Sequence, residues 1–82
     1  MSCMISIKCD GKWDGNIAAG NRSFNIEGTG DWYTTIHDVD RASVIVSKAD
    51  DSTGSLIVKL YGPDNKLIKE GYASGKFAVV SI

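Results

Sequence analysis

The chain has 82 residues, of which 43% are hydrophobic and 23% are charged, and its formal net charge is −1. This length suits one domain spanning residues 1–82 with a thin core, and the composition is ordinary for a globular protein. Because the charge is near zero and the basic residues are scattered, we predict no binding to nucleic acid or to an anionic membrane surface.

The amino terminus has no basic stretch followed by a long apolar run. We therefore predict neither a signal peptide nor a transmembrane segment, and a cytoplasmic location, an expectation that assumes a complete chain. Cys3 and Cys9, if both lie on one extended strand, are roughly 20 Å apart at about 3.3 Å per residue. That distance excludes a disulfide between them, and free thiols agree with a reducing compartment.

The first three predicted strands cover residues 3–9, 12–19 and the segment after Gly20-Asn21. A three-residue loop between the first two strands would pair Cys9 with Trp13, Ile7 with Gly15 and Ile5 with Ile17. Gly20-Asn21 is a two-residue hairpin signal between the second and third strands. That register pairs Ile17 with Phe24, Gly15 with Ile26 and Trp13 with Gly28. The large Trp13 ring is expected to lie over strand glycines.

A fourth strand is predicted at residues 32–36, with a loop at 37–40, and a central hairpin at 41–61. In the hairpin, β-branched residues alternate on both sides of a polar turn at 49–54. We expect the two strands to pair in one sheet with the apolar residues of both facing the same core. Apolar residues must then lie opposite apolar residues, because a one-residue slip would turn one strand's apolar side chains to the other face. The expected pairs are Val46 with Leu56, Val44 with Val58 and Ala42 with Leu60. This register places Ile45 opposite Ile57 on the outer face.

The carboxy-terminal third predicts a turn at 62–66, in which Pro63 occupies the first corner and Asn65 adopts a left-handed conformation. In the strand that follows, Ile68 is expected to face Leu60 in the core, and Leu67 to join Tyr61 outside. The last strand, at 76–82, is apolar on both faces and is expected to be an interior strand.

About eight short strands at intervals of roughly ten residues, with no helical period, predict an all-β fold. An antiparallel β-sandwich is favoured over a small barrel, with seven or eight strands in two sheets packed face to face.

Several runs of sequence also carry a resemblance to a known group of domains. They are residues 22–30 (RSFNIEGTG), 44–60, 66–70 (KLIKE) and 77–81 (FAVVS). Together they resemble small, mostly archaeal β-sandwich domains without an assigned function, across most of the chain after Trp13. The resemblance implies the fold and no activity. Members of that group are often secreted or membrane-anchored, whereas we predict no export signal for this chain, which also carries two cysteines.

Two sets of residues are candidates for binding a ligand. Aspartates in predicted loops would suit Ca²⁺ if the loops converge, although their spacing matches no EF-hand and aspartate is also common in turns for its own hydrogen bonds. These residues are Asp38, Asp40, Asp50, Asp51 and Asp64. Aromatic residues would form a platform on which a sugar or a base stacks if they were exposed together, although Trp13 is more simply explained as a core residue. These residues are Trp13, Trp32, Tyr33 and Tyr61.

An outer apolar stripe is the main candidate for a protein contact, because exposed apolar patches mark interaction sites. It consists of Ile45, Ile57, Tyr61 and Leu67. The alternative is that a second layer of the same chain covers these residues. A homodimer through this face or through a sheet edge is the simplest interaction.

Catalysis has little support in the sequence, which contains no recognisable catalytic or phosphate-binding motif. His37 beside Asp38 is more typical of a solvated loop pair than of a catalytic dyad, and no motif links His37 to either cysteine. We therefore predict a non-enzymatic structural or protein-interaction module, self-associating, with no cofactor. Weak Ca²⁺ binding is the alternative, and the sequence identifies no small-molecule ligand or catalytic residue.

Overall fold

A computed structural model describes all residues of the chain, 1–82, and contains eight β-strands and no helix. The strands are β1 (Ser2–Cys9), β2 (Lys12–Ala19), β3 (Arg22–Thr29), β4 (Trp32–His37), β5 (Ser43–Lys48), β6 (Ser55–Tyr61), β7 (Leu67–Ser74) and β8 (Val79–Ser81). They form two four-stranded antiparallel sheets, in the orders β4-β1-β6-β7 and β3-β2-β5-β8. The sheets pack face to face, which confirms the predicted all-β sandwich. The chain forms no apolar helix of membrane-spanning length.

The core lies between the two sheets and is made by alternate residues of the central strands. β1 contributes Cys3, Ile5, Ile7 and Cys9, whereas β6 contributes Leu56, Val58 and Leu60. The facing sheet contributes Trp13 and Ile17 from β2 and Val44 and Val46 from β5. Because side chains alternate across a strand, the intervening residues form the two outer faces of the sandwich.

The predicted β2–β3 hairpin is confirmed, including its register. Ile17 pairs with Phe24, Gly15 with Ile26 and Trp13 with Gly28. Gly20 has φ +63° and Asn21 is not among the residues with positive φ, as a type II′ turn requires. A Cβ atom on Gly28 would lie 2.7 Å from Cζ2 of Trp13, so the ring occupies the space above that glycine.

Two other predicted hairpins are wrong. β5 pairs with β2 and β8, and β6 pairs with β1 and β7, so residues 41–61 do not form a hairpin and Val46 does not pair with Leu56. The three-residue hairpin of the first two strands is also wrong, because β1 pairs with β4 and β6. In both cases the chain crosses between sheets, and the two apolar sets meet across the core instead of along one sheet.

The β6–β7 hairpin forms around the predicted turn. The Asn65 amide donates to the Gly62 carbonyl at 2.9 Å with Pro63 at the first corner, and Asn65 has φ +65°. Leu67 lies opposite Tyr61 on the outer face, as predicted. A register shift between Leu60 and Tyr61 places Lys69 opposite Leu60, so the prediction that Ile68 faces the core there is wrong and Ile68 is exposed.

The last strand also differs from the prediction. β8 contains only Val79–Ser81 and lies at the edge of its sheet, pairing with β5 alone. Val80 is buried, but Val79 is 56% exposed and Phe77 lies outside the strand with φ +55°. An apolar residue on each side of a strand therefore does not identify an interior strand here, because the outer face of this edge is open.

Candidate interaction surface

The predicted outer stripe is divided between the two outer faces of the sandwich. Ile57, Tyr61 and Leu67 share the outer face of the β4-β1-β6-β7 sheet. Ile45 lies on β5 and points outward from the other sheet, so its predicted position beside Ile57 is wrong. The division follows directly from the crossing of the chain between β5 and β6.

The outer face of the β4-β1-β6-β7 sheet carries all three tyrosines of the protein. We call it the tyrosine face and define it by Met4, Tyr33, Ile57, Tyr61, Leu67 and Tyr72. Tyr33 is 74% exposed and Tyr72 is 68% exposed, whereas Met4, Ile57 and Tyr61 are half-buried by their neighbours. No segment of the chain covers this face, so the alternative of a second layer from the same chain does not hold for it.

Cross-strand pairing arranges the tyrosine face in rows. One row runs across all four strands through Thr35, Met4, Tyr61 and Leu67. A second row joins Lys8, Ile57 and Tyr72, and a third joins Tyr33, Ser6, Lys59 and Glu70. Lys59 and Glu70 lie opposite each other without forming an ion pair, since the only ion pairs are Arg41–Asp40 and Lys48–Asp10. The face therefore combines apolar surface with unpaired charges of both signs.

The opposite outer face is mainly polar, apart from the exposed Ile45 and Val79. The Asn16 amide nitrogen donates to Asn25 Oδ1 at 3.0 Å and to Ser23 Oγ at 3.1 Å. Asp14 lies directly opposite Glu27 on the neighbouring strand, and neither carboxylate has an ion-pair partner. Like charges in this arrangement destabilise a sheet slightly.

The predicted aromatic platform does not form, because its members lie in two different layers. Trp13 is buried in the core, where its Nε1 donates to the Gly30 carbonyl at 2.9 Å. Trp32 packs against it with ring centroids 5.3 Å apart. Tyr33 and Tyr61 point away from them on the tyrosine face.

The aspartates of the calcium hypothesis are separated by the fold. Asp50 and Asp51 lie in the β5–β6 loop, and Asp38, Asp40 and Asp64 lie in loops at the opposite end of the sandwich. The structure has no group of three or more His, Cys, Asp or Glu side chains placed to hold a metal ion. Asp64 Oδ1 instead accepts from the Lys66 amide at 3.2 Å within its own turn. Calcium binding stays a prediction, without the convergence of loops on which it was based.

Lys48 is the main residue that the sequence analysis missed. It follows Val44 and Val46 at a core-facing position of β5, and its side chain is completely excluded from solvent. Its ammonium group donates to the carbonyls of Ser52 and Gly54, both at 2.7 Å, and lies 3.3 Å from Asp10 Oδ1. Lys48 thus joins the β5–β6 loop to the β1–β2 turn. The sequence did contain a signal for this burial. Lys48 alternates in step with the apolar Val44 and Val46, so its side chain points to the same face, and a polar turn follows it.

Asp50 reinforces the same junction. Its Oδ1 accepts from the Ser52 hydroxyl at 2.7 Å, and its Oδ2 accepts from the Lys12 amide at 2.9 Å. The hydroxyl of Ser52, followed by the amides of Lys12 and Ser52, lowers the pKa of the Asp50 carboxyl to about 2. This carboxylate acts as a structural acceptor, which agrees with the turn role of aspartate.

The candidates for catalysis lie apart from one another. The Ser2 hydroxyl and His37 Nδ1 are 3.3 Å apart on the exposed surface, and no carboxylate forms a hydrogen bond with the His37 ring. Cys3 and Cys9 are free and buried on the core side of β1. Burial, followed by the charge of Asp40, raises the pKa of the Cys3 thiol, which favours the unreactive protonated form.

Comparison with known proteins finds no match to any protein-family model, to any curated protein or to any solved structure. The resemblance to archaeal β-sandwich domains therefore stays a prediction. The candidate interaction surface is argued from the geometry of this chain alone.

Proposed function

We propose that this protein is a non-enzymatic interaction module that associates with a second copy of itself through the tyrosine face. The observation that carries the proposal is the collection of six large side chains on one outer sheet face, including every tyrosine of the chain. Tyrosine and methionine are enriched at protein interfaces, and here all of them except Tyr33 lie in rows on either side of the polar pairs formed by Ser6, Lys59 and Glu70.

The charges of the tyrosine face suit contact with a copy of itself. An isologous dimer brings the same patch together from both subunits, so a self-complementary patch needs both signs of charge. Lys8 and Lys59 provide positive charge, and Glu70 provides negative charge. None of the three is engaged in an ion pair within the chain, so each is free to pair with a partner.

The chain contains a matched pair of residues for testing this proposal. Ile57→Lys puts a charge on the tyrosine face, beside Tyr72, and Ile45→Lys puts the same charge on the opposite outer face. Light scattering after gel filtration is expected to give wild-type protein and Ile45→Lys twice the mass of one chain. Ile57→Lys is expected to give the mass of one chain, because burying an unpaired lysine in the interface is costly.

Tyr72→Lys provides a second variant of the same face at a more exposed position, where effects on folding are smaller. Circular dichroism of each variant establishes that the sheets are intact. A wild-type protein that has the mass of one chain at millimolar concentration would refute the proposal. An equal loss of association in Ile45→Lys and Ile57→Lys would also refute it.

A further inference from the structure

The two open sides of the sandwich differ in how well the chain closes them. On the β7–β8 side, Val80 and Ile82 pack against Gly71, where a Cβ atom would clash with Val80. On the β3–β4 side, Phe24 points inward from β3 and is nevertheless 40% exposed. The outer edges of β3 and β4 are unpaired, as are those of β7 and β8, so it is the exposure of the inward-pointing Phe24 that marks the β3–β4 seam as open.

The open seam forms a groove with a volume of about 410 Å³. Half of its lining is apolar, and the apolar part comprises Ile17, Phe24, Ile26, Trp32 and Ile36. Trp32 lines the groove and packs against the buried Trp13. This size and this lining are typical of sites for small organic molecules, which range from about 300 to 1,000 Å³.

The charge of the groove is positive and comes from one residue, Arg22. None of its lining residues is an aspartate or a glutamate, and Arg22 is its only lysine or arginine. One guanidinium nitrogen, Nη2 of Arg22, donates to the His37 carbonyl at 2.6 Å, which holds Arg22 across the seam from β3 to β4. The guanidinium has five N–H donors, and Arg22 forms no ion pair with any carboxylate of the chain. The groove is therefore complementary to an anion in a protein whose net charge is −1.

We propose that the β3–β4 groove binds an amphipathic organic anion, a small molecule with an aromatic or aliphatic body and one carboxylate. The body would lie against Phe24, Ile26 and Trp32, which would remove apolar surface from water. The carboxylate would accept hydrogen bonds from the free N–H groups of Arg22, whose planar fork matches a carboxylate. This site differs from the tyrosine face on the outer surface of the β4-β1-β6-β7 sheet, and the two meet only along β4, at Thr35.

A pair of ligands that differ only in the head group tests the proposal on the wild-type protein. 3-Phenylpropanoate and 3-phenylpropan-1-ol are titrated separately into ¹⁵N-labelled protein and followed by amide and indole NMR shifts. The acid is expected to shift Phe24, Ile26 and the Trp32 indole, and to bind about three- to fivefold more tightly than the alcohol, as an exposed ion pair allows. Arg22→Gln is expected to reduce the affinity for the acid to that for the alcohol, whereas Arg41→Gln, in an exposed loop, leaves it unchanged.

The comparison of acid with alcohol requires no variant, so it holds even if Arg22→Gln weakens the fold. Equal affinities for acid and alcohol would overturn the proposal, because the groove would then be only an apolar cleft. Shifts outside the groove would also overturn it. So would the absence of shifts at about 10 mM acid, a concentration that would occupy most of a site with a Kd of about 1 mM. Shifts of the same groove amides with protein concentration alone would assign the groove to a second copy and reject a small-molecule ligand.

Discussion

Lys48 shows how a single charged residue can belong to a hydrophobic core. Its aliphatic stem continues the apolar row of Val44 and Val46, and its ammonium group is satisfied by two carbonyls and one carboxylate. The approach is close: a Cβ atom on Gly54 would clash with the Asp10 carboxylate, so a larger residue there would displace this carboxylate from its place beside Lys48. A buried cation with this set of acceptors stabilises one loop arrangement, because removing an acceptor leaves one of its buried N–H donors without a partner.

Asp10→Asn tests the contribution of the carboxylate to this junction. The amide keeps the shape of the side chain and can still accept a hydrogen bond, but the buried Lys48 loses its negative partner. Because the Asp10 side chain is 49% exposed, we expect a loss of about 1–3 kcal/mol in the free energy of unfolding, below the roughly 3–5 kcal/mol for breaking a fully buried pair. Urea denaturation at neutral pH measures it.

Asp14→Asn is the matched control for that substitution. Asp14 has no ion pair and lies opposite Glu27, so neutralising it removes a repulsion. Its free energy of unfolding is expected to stay within about 0.5 kcal/mol of wild type, or to rise. Equal losses in Asp10→Asn and Asp14→Asn would show that the Lys48 contact contributes nothing specific.

The lowered pKa of Asp50 predicts that the stability of the protein depends on pH in the acid range. Its folded pKa of about 2 lies below the ordinary aspartate value of 3.8, so the folded state binds this proton less readily than the unfolded state. The resulting stabilisation is present above pH 3.8 and is lost as the pH falls toward 2. Asp50→Asn should therefore reduce the slope of unfolding free energy against pH in this window, measured by urea denaturation. Asp51→Asn, its neighbour, should leave the slope unchanged, and a wild-type slope in Asp50→Asn would contradict the assignment.

At the scale of elements, the sequence determines which face of a strand is buried more reliably than which sheet the strand joins. Val44, Val46, Leu56 and Val58 are all buried, as their alternation predicts. The same alternation is satisfied when β5 and β6 face each other across the core, because parity is identical in the two arrangements. Register was predictable only where local turn chemistry specifies a hairpin: along the whole β2–β3 pair at Gly20, and after residues 62–66 only for Tyr61 and Leu67, before the register shift.

The candidate sites were predictable to a smaller extent for the same reason. Ile57, Tyr61 and Leu67 share a face as predicted, but Tyr33 and Tyr72 join them through the pairing of β4 with β1 and of β7 with β6. These pairings connect residues distant in sequence, and single-strand patterns carry no information about them. The β3–β4 groove was equally inaccessible, since it depends on two sheet edges that diverge.

At the scale of the whole molecule, β1 is a central strand whose core side carries both thiols. The neighbouring strands β4 and β6 flank it, and the second sheet covers its inner face. Reaching Cys3 or Cys9 from solvent therefore requires the two sheets to separate. A small domain usually opens in this way only by unfolding cooperatively.

Thiol labelling measures this opening directly. With iodoacetamide in increasing urea, we expect the labelling rates of Cys3 and Cys9, separated by peptide mass spectrometry, to rise together with the slope of global unfolding, because both residues become accessible in one transition. Free glutathione, labelled alongside, corrects for the effect of urea on the reagent. Labelling of Cys3 that is independent of urea while that of Cys9 follows global unfolding would show that the start of β1 frays alone, and would contradict a single cooperative sandwich.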